Sequence, residues 1–298
     1  MFLYAYFAIV ARITVGKIPR PIFVLLLLLS FGGRTYSEDS DGVISLSLRQ
    51  GFEEEFRQND RDHAYRETLY TLTADAERGW GYRHQYRVFD LPDTGDVSPA
   101  TNGHVHATGP TFRFAAAGAQ INLYPLIAVS SNVIRETRDF AFRDLQLHGK
   151  AAWETPGGGN GQWTWGLQAD SRWGRMMVFP HVSWGSDWEG PVQLSLGFPD
   201  SALVWTPAPE WTVSLDLGPD GGEWRVRDAE FERASTFRQR RMRLAASLFR
   251  DFGPRVSLGG GVEYAFARRW EYTLKSGERQ RVSPPDAPML FAGIRARF

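Results

Sequence analysis

Residues 290–298, with the sequence LFAGIRARF, carry the pattern that decides the fold. Every second residue from Leu290 to Phe298 is apolar, whereas the residues between them include Arg295 and Arg297. Successive side chains of a β-strand point to opposite sides, so one row would meet an apolar environment and the other a polar one. The pattern predicts a β-strand that separates two different environments.

The same alternation recurs along the chain. It is present in residues 44–48, 145–153, 163–169, 192–198, 211–217, 242–248 and 256–266. Alternating segments of about ten residues, separated by turns, are typical of transmembrane β-barrels. A soluble exported β-sandwich with one wet face also alternates and is kept as an alternative. We expect an all-β fold, an antiparallel transmembrane β-barrel of about twelve strands (range 10–14), since single-chain bacterial barrels have even strand numbers.

The segments between the strands predict the connections. Residues 156–161, 207–210, 219–222 and 251–254 are rich in Gly and Pro and predict short hairpin connections. Longer polar segments lie at residues 90–106, 133–140 and 275–288. Tryptophans cluster near the predicted strand ends, where a membrane barrel carries its interfacial aromatic girdles.

Composition excludes several classes of function. The 298 residues include 34 Lys+Arg and 34 Asp+Glu, so no net positive charge points to a nucleic-acid partner. The chain has no cysteine, which excludes disulfides, thiolate catalysis and Cys-ligated metals. We therefore expect a fold that is held together by closure of its sheet, with no cofactor and no metal.

The first residues resemble an export signal. Arg12, Lys17 and Arg20 precede the apolar run 22–31 (IFVLLLLLSF), which small and polar residues follow. This run is too short to cross a bilayer as a helix, which needs about 20 residues. We expect a cleaved signal peptide at residues 1–37 and a barrel domain at residues 38–298, with a permanent N-terminal anchor as the alternative. No long apolar run follows Phe31, so only a closed barrel would satisfy the backbone in lipid.

The end of the chain resembles the C-terminal β-signal of bacterial outer-membrane proteins, in which a terminal aromatic residue, here Phe298, follows an alternating strand. Residues 197–201 (GFPDS), 218–224 (GPDGGEW) and 258–298 resemble an uncharacterised family of single-domain Gram-negative outer-membrane β-barrel proteins. The resemblance implies an outer-membrane location and recognition by the barrel-insertion machinery. It implies no chemistry. We expect outer-membrane lipid and lipopolysaccharide to be the surrounding partners.

Arginines concentrate in the C-terminal strands. The candidate lumen residues are Arg225, Arg227, Arg241, Arg243, Glu263, Arg295 and Arg297. A row of guanidinium groups inside a barrel would select anions or bind a phosphorylated or carboxylated solute. The alternative is structural, with these arginines paired to carboxylates such as Asp216, Glu230 and Glu263 to fill a narrow lumen.

Two histidine motifs provide weaker alternatives. His181 and Ser183 share one face of a predicted strand, and outer-membrane lipid hydrolases use a similar His-x-Ser pair with a third residue that orients the His. Those hydrolases have Asn after the Ser, whereas here Trp184 follows, and either Asp187 or Glu189 would have to serve as the acid. His104 and His106 would form only half of a metal site. We expect a barrel that is not an enzyme, a narrow Arg-lined pore or binding barrel for small anionic solutes.

Overall fold

Seventeen β-strands and one short helix make up the part of the chain that the computed structural model describes, namely residues 42–52, 54–58, 61–76, 79–90, 104–135, 144–157, 161–186, 190–227, 234–273 and 279–297. The strands are β1 (Gly42–Gly51), β2 (Glu54–Gln58), β3 (Arg61–Ala76), β4 (Gly79–Asp90), β5 (His104–Ala116), β6 (Ala119–Ser130), β7 (Leu145–Gly157), β8 (Gly161–Asp170), β9 (Met177–Ser186), β10 (Val192–Phe198), β11 (Ser201–Ala208), β12 (Trp211–Pro219), β13 (Gly222–Arg227), β14 (Ala234–Asp251), β15 (Val256–Thr273), β16 (Arg279–Val282) and β17 (Ala287–Arg297). The helix α1 spans Ser131–Arg135. None of the described residues belongs to a helix long and apolar enough to cross a membrane.

The first and last strands pair and close the sheet into a ring. β1 runs antiparallel to β17, with Val43 opposite Arg297 and Gly51 opposite Met289. The ring contains fourteen strands, all antiparallel to their neighbours: β1, β3 to β12, β14, β15 and β17. The predicted all-β antiparallel barrel is confirmed, with a strand number at the upper end of the expected range. The β-sandwich alternative is wrong, because a single closed sheet replaces two facing sheets.

Strands β3 to β5 explain why the pattern suggested fewer strands. On β4 the outward positions carry Tyr82, His84 and Tyr86, while the inward positions carry Arg83 and Arg87. Both faces are therefore polar, and no alternation of apolar and polar residues marks the strand. Elsewhere on the ring the outward positions are apolar and exposed, such as Leu147, Leu167 and Val262.

The outward apolar belt is bounded on β14 by two arginines. Arg240 and Arg250 point outward and lie ten residues apart, with Met242, Leu244, Ala246 and Leu248 between them. Ten residues span about 34 Å along a strand, or about 25 Å along the barrel axis at a tilt of about 40°. That height equals the usual apolar band of an outer-membrane barrel, about 25 Å. The belt suits a hydrocarbon environment.

The two rims of the barrel differ in the length of their connections. At the rim where β1 begins and β17 ends, called here the lower rim, two to four positions of sequence separate β3 from β4, β5 from β6, β7 from β8, β11 from β12 and β14 from β15. At the opposite, upper rim the intervals in sequence between ring strands are longer, namely 52–60, 91–103, 131–144 and 220–233, except that only residues 199–200 separate β10 from β11. Bacterial barrels place short turns on the periplasmic side and longer loops outside.

Three short strands continue ring strands above the belt. β12 and β13 pair with β14 in one unbroken register, because Pro219 lies opposite Met242 and Gly222 lies opposite Gln239. The prediction of a hairpin at residues 219–222 is therefore wrong: the chain runs on after a break at Asp220 and Gly221. In the same way β16 and β17 pair with β15 in one register, whereas β2 extends β1 along β3 with a register shift of one residue.

β13 changes the path of the wall. It pairs with β14 on one side and with β6 on the other, where Arg225 lies opposite Val129 in a parallel bridge. The upper sheet therefore runs β2-β3-β4-β5-β6-β13-β14-β15-β16, and β7 to β12 end below it.

The upper sheet encloses a dry core, whereas the lower barrel encloses a polar lumen. Apolar side chains from seven strands meet in the upper core: Phe89, Val105, Ala107, Ala128, Trp224, Val226, Phe237, Trp270 and Val282. Trp224 and Trp270 therefore do not belong to an interfacial girdle, as their strand-end positions had suggested. The inward positions of the lower barrel carry large residues such as Arg113, Phe249 and Arg295 and also many small ones, among them Ser45, Ser47, Thr71, Thr73, Thr111, Thr164, Ser214, Ser247, Ser257 and Gly261.

Candidate functional site: the barrel lumen

A buried ionic network lies directly below the apolar core. Arg241, which is only 1% exposed, donates to Glu67 at 2.7 Å and to Asp220 at 2.5 Å. Arg87 contacts the same two carboxylates at 3.2 Å and 3.4 Å and donates to the side-chain oxygen of Gln239. Each carboxylate is thus shared by at least two guanidinium groups. Arginine suits this arrangement because its planar fork can contact two acceptors at once.

The network reaches the wall formed by β1 and β15. The Nε atom of Arg49 lies 3.0 Å from Glu263, another nitrogen of Arg49 lies 3.6 Å from Asp220, and Arg243 lies 3.4 Å from Glu263. Asp220 can join because the break between β12 and β13 places it opposite Arg241, where its backbone N–H donates to the Arg241 carbonyl. Removal of charges from water is costly unless partners compensate each one, as they do here.

The structure brings together only some of the predicted lumen residues. Arg241, Arg243 and Glu263 lie in the network. Arg225 is paired with Asp144 at 2.7 Å, next to the upper core. Near the lower rim, Arg295 stacks over the ring of Phe249 at 3.8 Å, and Arg297 lies 3.6 Å from Asp251. The side chain of Arg227, and also Glu230 and Phe298, lie outside the described residues, as does the predicted signal peptide.

A cavity of about 330 Å³ opens beside the network inside the barrel. Its wall comes from inward positions of β4 to β9, and its upper side comes from Gly221, Gly222 and Trp224. The polar lining residues are Arg83, Gln85, Tyr124, Gln146, His148, Lys150, Gln168, Asp170, Ser171, Arg172, His181, Asp200, Asp220 and Glu223. None of the predicted arginines is among them.

Arg172 fixes one side of this cavity. It donates to Asp200 through both terminal nitrogens, at 2.7 Å and 2.9 Å, and to Asp170 through Nε at 2.8 Å. Burial alone would lower the pKa of the Arg172 guanidinium, but the hydrogen bonds to Asp200 and the charge of Asp170 outweigh it and raise this pKa. These ion pairs tie the β8–β9 loop to the β10–β11 turn.

Two cations of the cavity lack such partners. Among the described residues, no carboxylate lies within ion-pair distance of Arg83 or Lys150. The Nε atom of Arg83 is buried and has no hydrogen-bond partner in this part of the chain. A buried guanidinium without a counter-charge is costly, so an anion that enters the cavity would stabilise it. Sequence reasoning missed Arg83 because its strand is polar on both faces.

The histidine motifs assemble no catalytic or metal site in the described chain. Both ring nitrogens of His181 are buried without a hydrogen-bond partner, so Ser183 is not bonded to the imidazole. Asp187 and Glu189 lie outside the described residues. His104 and His106 face outward, where they bond to Tyr86 and Ser131. The described residues contain no group of three or more metal-ligating side chains.

The chain is similar in structure to several solved porins. The NanC porin covers 85% of this chain and all of its own, with 10% identity and a TM-score of 0.38. A BenF-like porin from Pseudomonas fluorescens covers 89%, with 11% identity and a TM-score of 0.35, and Pseudomonas aeruginosa OccK2, solved in complex with glucuronate, covers 89%, with 9% identity and a TM-score of 0.30. These scores are too low to carry a conclusion, so the fold rests on the strand pairing itself. No protein-family model and no curated protein matches the chain.

Proposed function

We propose that the protein is an outer-membrane β-barrel channel that binds small anionic solutes in its lumen. The observation that carries the proposal is the pair Arg83 and Lys150, two cations that face a cavity of about 330 Å³ without carboxylate partners in the described chain. Most other lumenal cations of the described chain contact a carboxylate, namely Glu67, Asp75, Asp170, Asp200, Asp220, Asp251 or Glu263, whereas Arg295 near the lower rim stacks over Phe249. Arg83 and Lys150 would therefore attract a small anion into the cavity that they line.

The membrane location follows from the surface of the barrel. A closed ring leaves no unpaired strand edge, and its outward belt has the height of an outer-membrane hydrocarbon core. The lower lumen carries small residues such as Ser45 and Ser247 beside larger ones such as Phe249 and Arg295, and the proposal takes the solute from the lower rim through this part of the lumen to the cavity. The apolar core above the ionic network closes the upper side in this conformation, so passage of a solute requires β13 to move.

The binding step is tested with a charged ligand and a neutral one of equal size. Titration of the detergent-solubilised barrel with a hexuronate, followed by intrinsic tryptophan fluorescence, to which Trp224 at the edge of the cavity contributes, should saturate. The matching neutral hexose should bind at least tenfold more weakly. Arg83→Gln and Lys150→Gln should each weaken hexuronate binding about tenfold, or ~1.4 kcal/mol.

The matched control is Arg113→Gln, because Arg113 faces the lumen near the lower rim and already lies 3.5 Å from Asp75. This variant should bind hexuronate like the wild type. Equal affinity for the acid and the neutral sugar would contradict the proposal, as would unchanged binding in both cavity variants.

A further inference from the structure

A second cavity, of about 510 Å³, lies at the upper side of the barrel, between the outward faces of β14 to β16 and the upper ends of β9 and β10. Six arginines line it: Arg175, Arg238, Arg240, Arg269, Arg279 and Arg281. The single acidic residue of its lining is Glu271 among the described residues. This recess has no lining residue in common with the lumenal cavity.

The strand register produces this concentration of charge. Arg240 lies directly opposite Arg269, at outward positions of β14 and β15. Two like charges opposite each other destabilise an antiparallel pair. Arg281 forms an ion pair with Glu271 at 2.9 Å, and Arg238 forms one with Glu223 at 3.1 Å. Within the described chain no carboxylate contacts Arg240, Arg269 or Arg279, so the recess keeps an excess of positive charge.

The floor of the recess is aromatic. Trp173 stacks on Phe198 with ring centroids 6.0 Å apart, and Phe179 meets Phe198 edge-on at 5.8 Å. The floor is reachable because β10 and β11 are the shortest ring strands and end below their neighbours. Gly174, at a φ of 83°, lets the β8–β9 loop turn against β14, where an added Cβ would lie 3.2 Å from the Cβ of Arg240.

The height of the recess indicates its ligand. Arg240 marks the upper edge of the apolar belt, so its guanidinium lies at the level of lipid head groups. Arginine recognises phosphate by bidentate hydrogen bonds, and an apolar floor beside it suits the sugar or acyl part of a lipid. A small soluble anion has no apolar part that could contact that floor.

We propose that this recess binds the phosphate of a phosphorylated glycolipid, such as the lipid A part of lipopolysaccharide, in the leaflet at the upper rim. Arg240 and Arg269 hold the phosphate, and Trp173 and Phe198 contact the glycolipid beside it. The ligand neutralises the like-charged pair that the register imposes. The inference shares the membrane orientation with the proposed function but does not depend on solute binding in the lumen.

The test measures binding of lipid A to the purified full-length barrel in detergent by native mass spectrometry. Wild-type protein should retain lipid A. It should not retain the same lipid once the phosphates of the lipid have been removed enzymatically. The double substitution Arg240→Gln with Arg269→Gln should weaken lipid A binding about 20-fold, since each arginine near a charged lipid surface contributes about fivefold. Inorganic phosphate in large excess should not compete.

Arg250→Gln is the matched control, because Arg250 faces outward on the same strand at the lower edge of the belt. It should bind lipid A like the wild type. Heat-modifiable gel mobility verifies that each variant has folded. The proposal is overturned if folded double variant and wild type bind lipid A equally, if phosphate removal has no effect, or if inorganic phosphate displaces the lipid.

Discussion

The upper and lower halves of this barrel are built from the same long strands but enclose opposite environments. Above the level of Asp220 the interior is dry and packed with aromatic rings around Trp224. Below it, inward positions carry small polar groups such as Ser214 and Ser247. The difference arises from β13, which leaves the ring after β12 and joins β6 to β14. A closed sheet is therefore a pore only where no strand crosses its interior.

The ionic network is the boundary between these halves, and we expect its disruption to lower the free energy of unfolding more than any other substitution considered below. We expect Arg241→Met to destabilise the barrel by about 3–5 kcal/mol, because it leaves Glu67 and Asp220 buried with one cation fewer. Urea unfolding in lipid vesicles, followed by tryptophan fluorescence, measures this loss.

Arg250→Met is the control for this substitution, since Arg250 faces outward and contacts the rings of Trp211 and Phe252 at 5.1 Å and 5.2 Å. It should cost about 0.5–1 kcal/mol. Similar losses in the two variants would mean that the network contributes no more than a surface cation, and the boundary would lose its physical basis.

We expect that the apolar core can be disrupted while the lower barrel stays folded. Trp224→Ala removes the largest side chain that β13 contributes to the core, a change that costs about 3 kcal/mol in a packed interior. Because the lower ring closes independently through β1 and β17, we expect protease cleavage at the upper rim while heat-modifiable mobility persists.

Trp165→Ala provides the comparison, because Trp165 faces outward on the lower barrel and stacks on Trp153 at 5.1 Å. It should leave the upper rim as resistant to protease as the wild type. Cooperative unfolding of both halves in Trp224→Ala would show that they are not separable.

How much the sequence reveals also differs between the halves. Alternation assigned Arg241, Arg243 and Glu263 to the face opposite apolar neighbours such as Leu244 and Val262. In the structure the three side chains lie in the ionic network. The upper half was less predictable. The Gly/Pro-rich segment at residues 219–222 has the composition of a hairpin, and only the register against β14 shows that the strand continues.

The lumenal cavity was missed for a related reason. Arg83 lies on a strand whose outward residues are Tyr and His, so no apolar row marked its face as inward. Glu67, the partner of Arg241, is separated from it by 174 positions in the chain. Pairing between such distant residues is decided by ring closure, which no local pattern encodes.

The contacts that attach β13 to the opposite wall of the barrel can be weakened one at a time, which should partly open the upper half. Asp144 pairs with Arg225 at 2.7 Å, and Gln146 donates to the Glu223 carbonyl at 2.8 Å. We expect Asp144→Asn to cost about 1.5–3 kcal/mol, since it weakens hydrogen bonds to a charged group. Planar-bilayer recordings should show more frequent or larger openings than in the wild type.

Asp75→Asn is the matched variant, because Asp75 pairs with Arg113 at the lower rim, away from β13. Its openings should not differ from those of the wild type. An increase in both variants would assign the effect to altered lumen charge, and no increase in Asp144→Asn would mean that this pair does not hold β13 in place.

The smallest effect is expected in the lower lumen, where water can replace a lost partner. Ser247 and Ser214 share a hydrogen bond of 2.8 Å, and Ser214 also donates to Asp216 at 3.0 Å. Ser247→Ala should change the free energy of unfolding by less than about 1 kcal/mol, because a neutral hydrogen bond contributes little when its partner stays hydrated. Gln239→Ala removes a neutral partner of Arg87 and Glu67 in the buried network and should cost clearly more, about 1–3 kcal/mol. Urea unfolding of the two variants side by side therefore measures how dry each level of the lumen is. A cost for Ser247→Ala equal to that of Gln239→Ala would mean that the lower lumen excludes water, which is incompatible with a solute path through it.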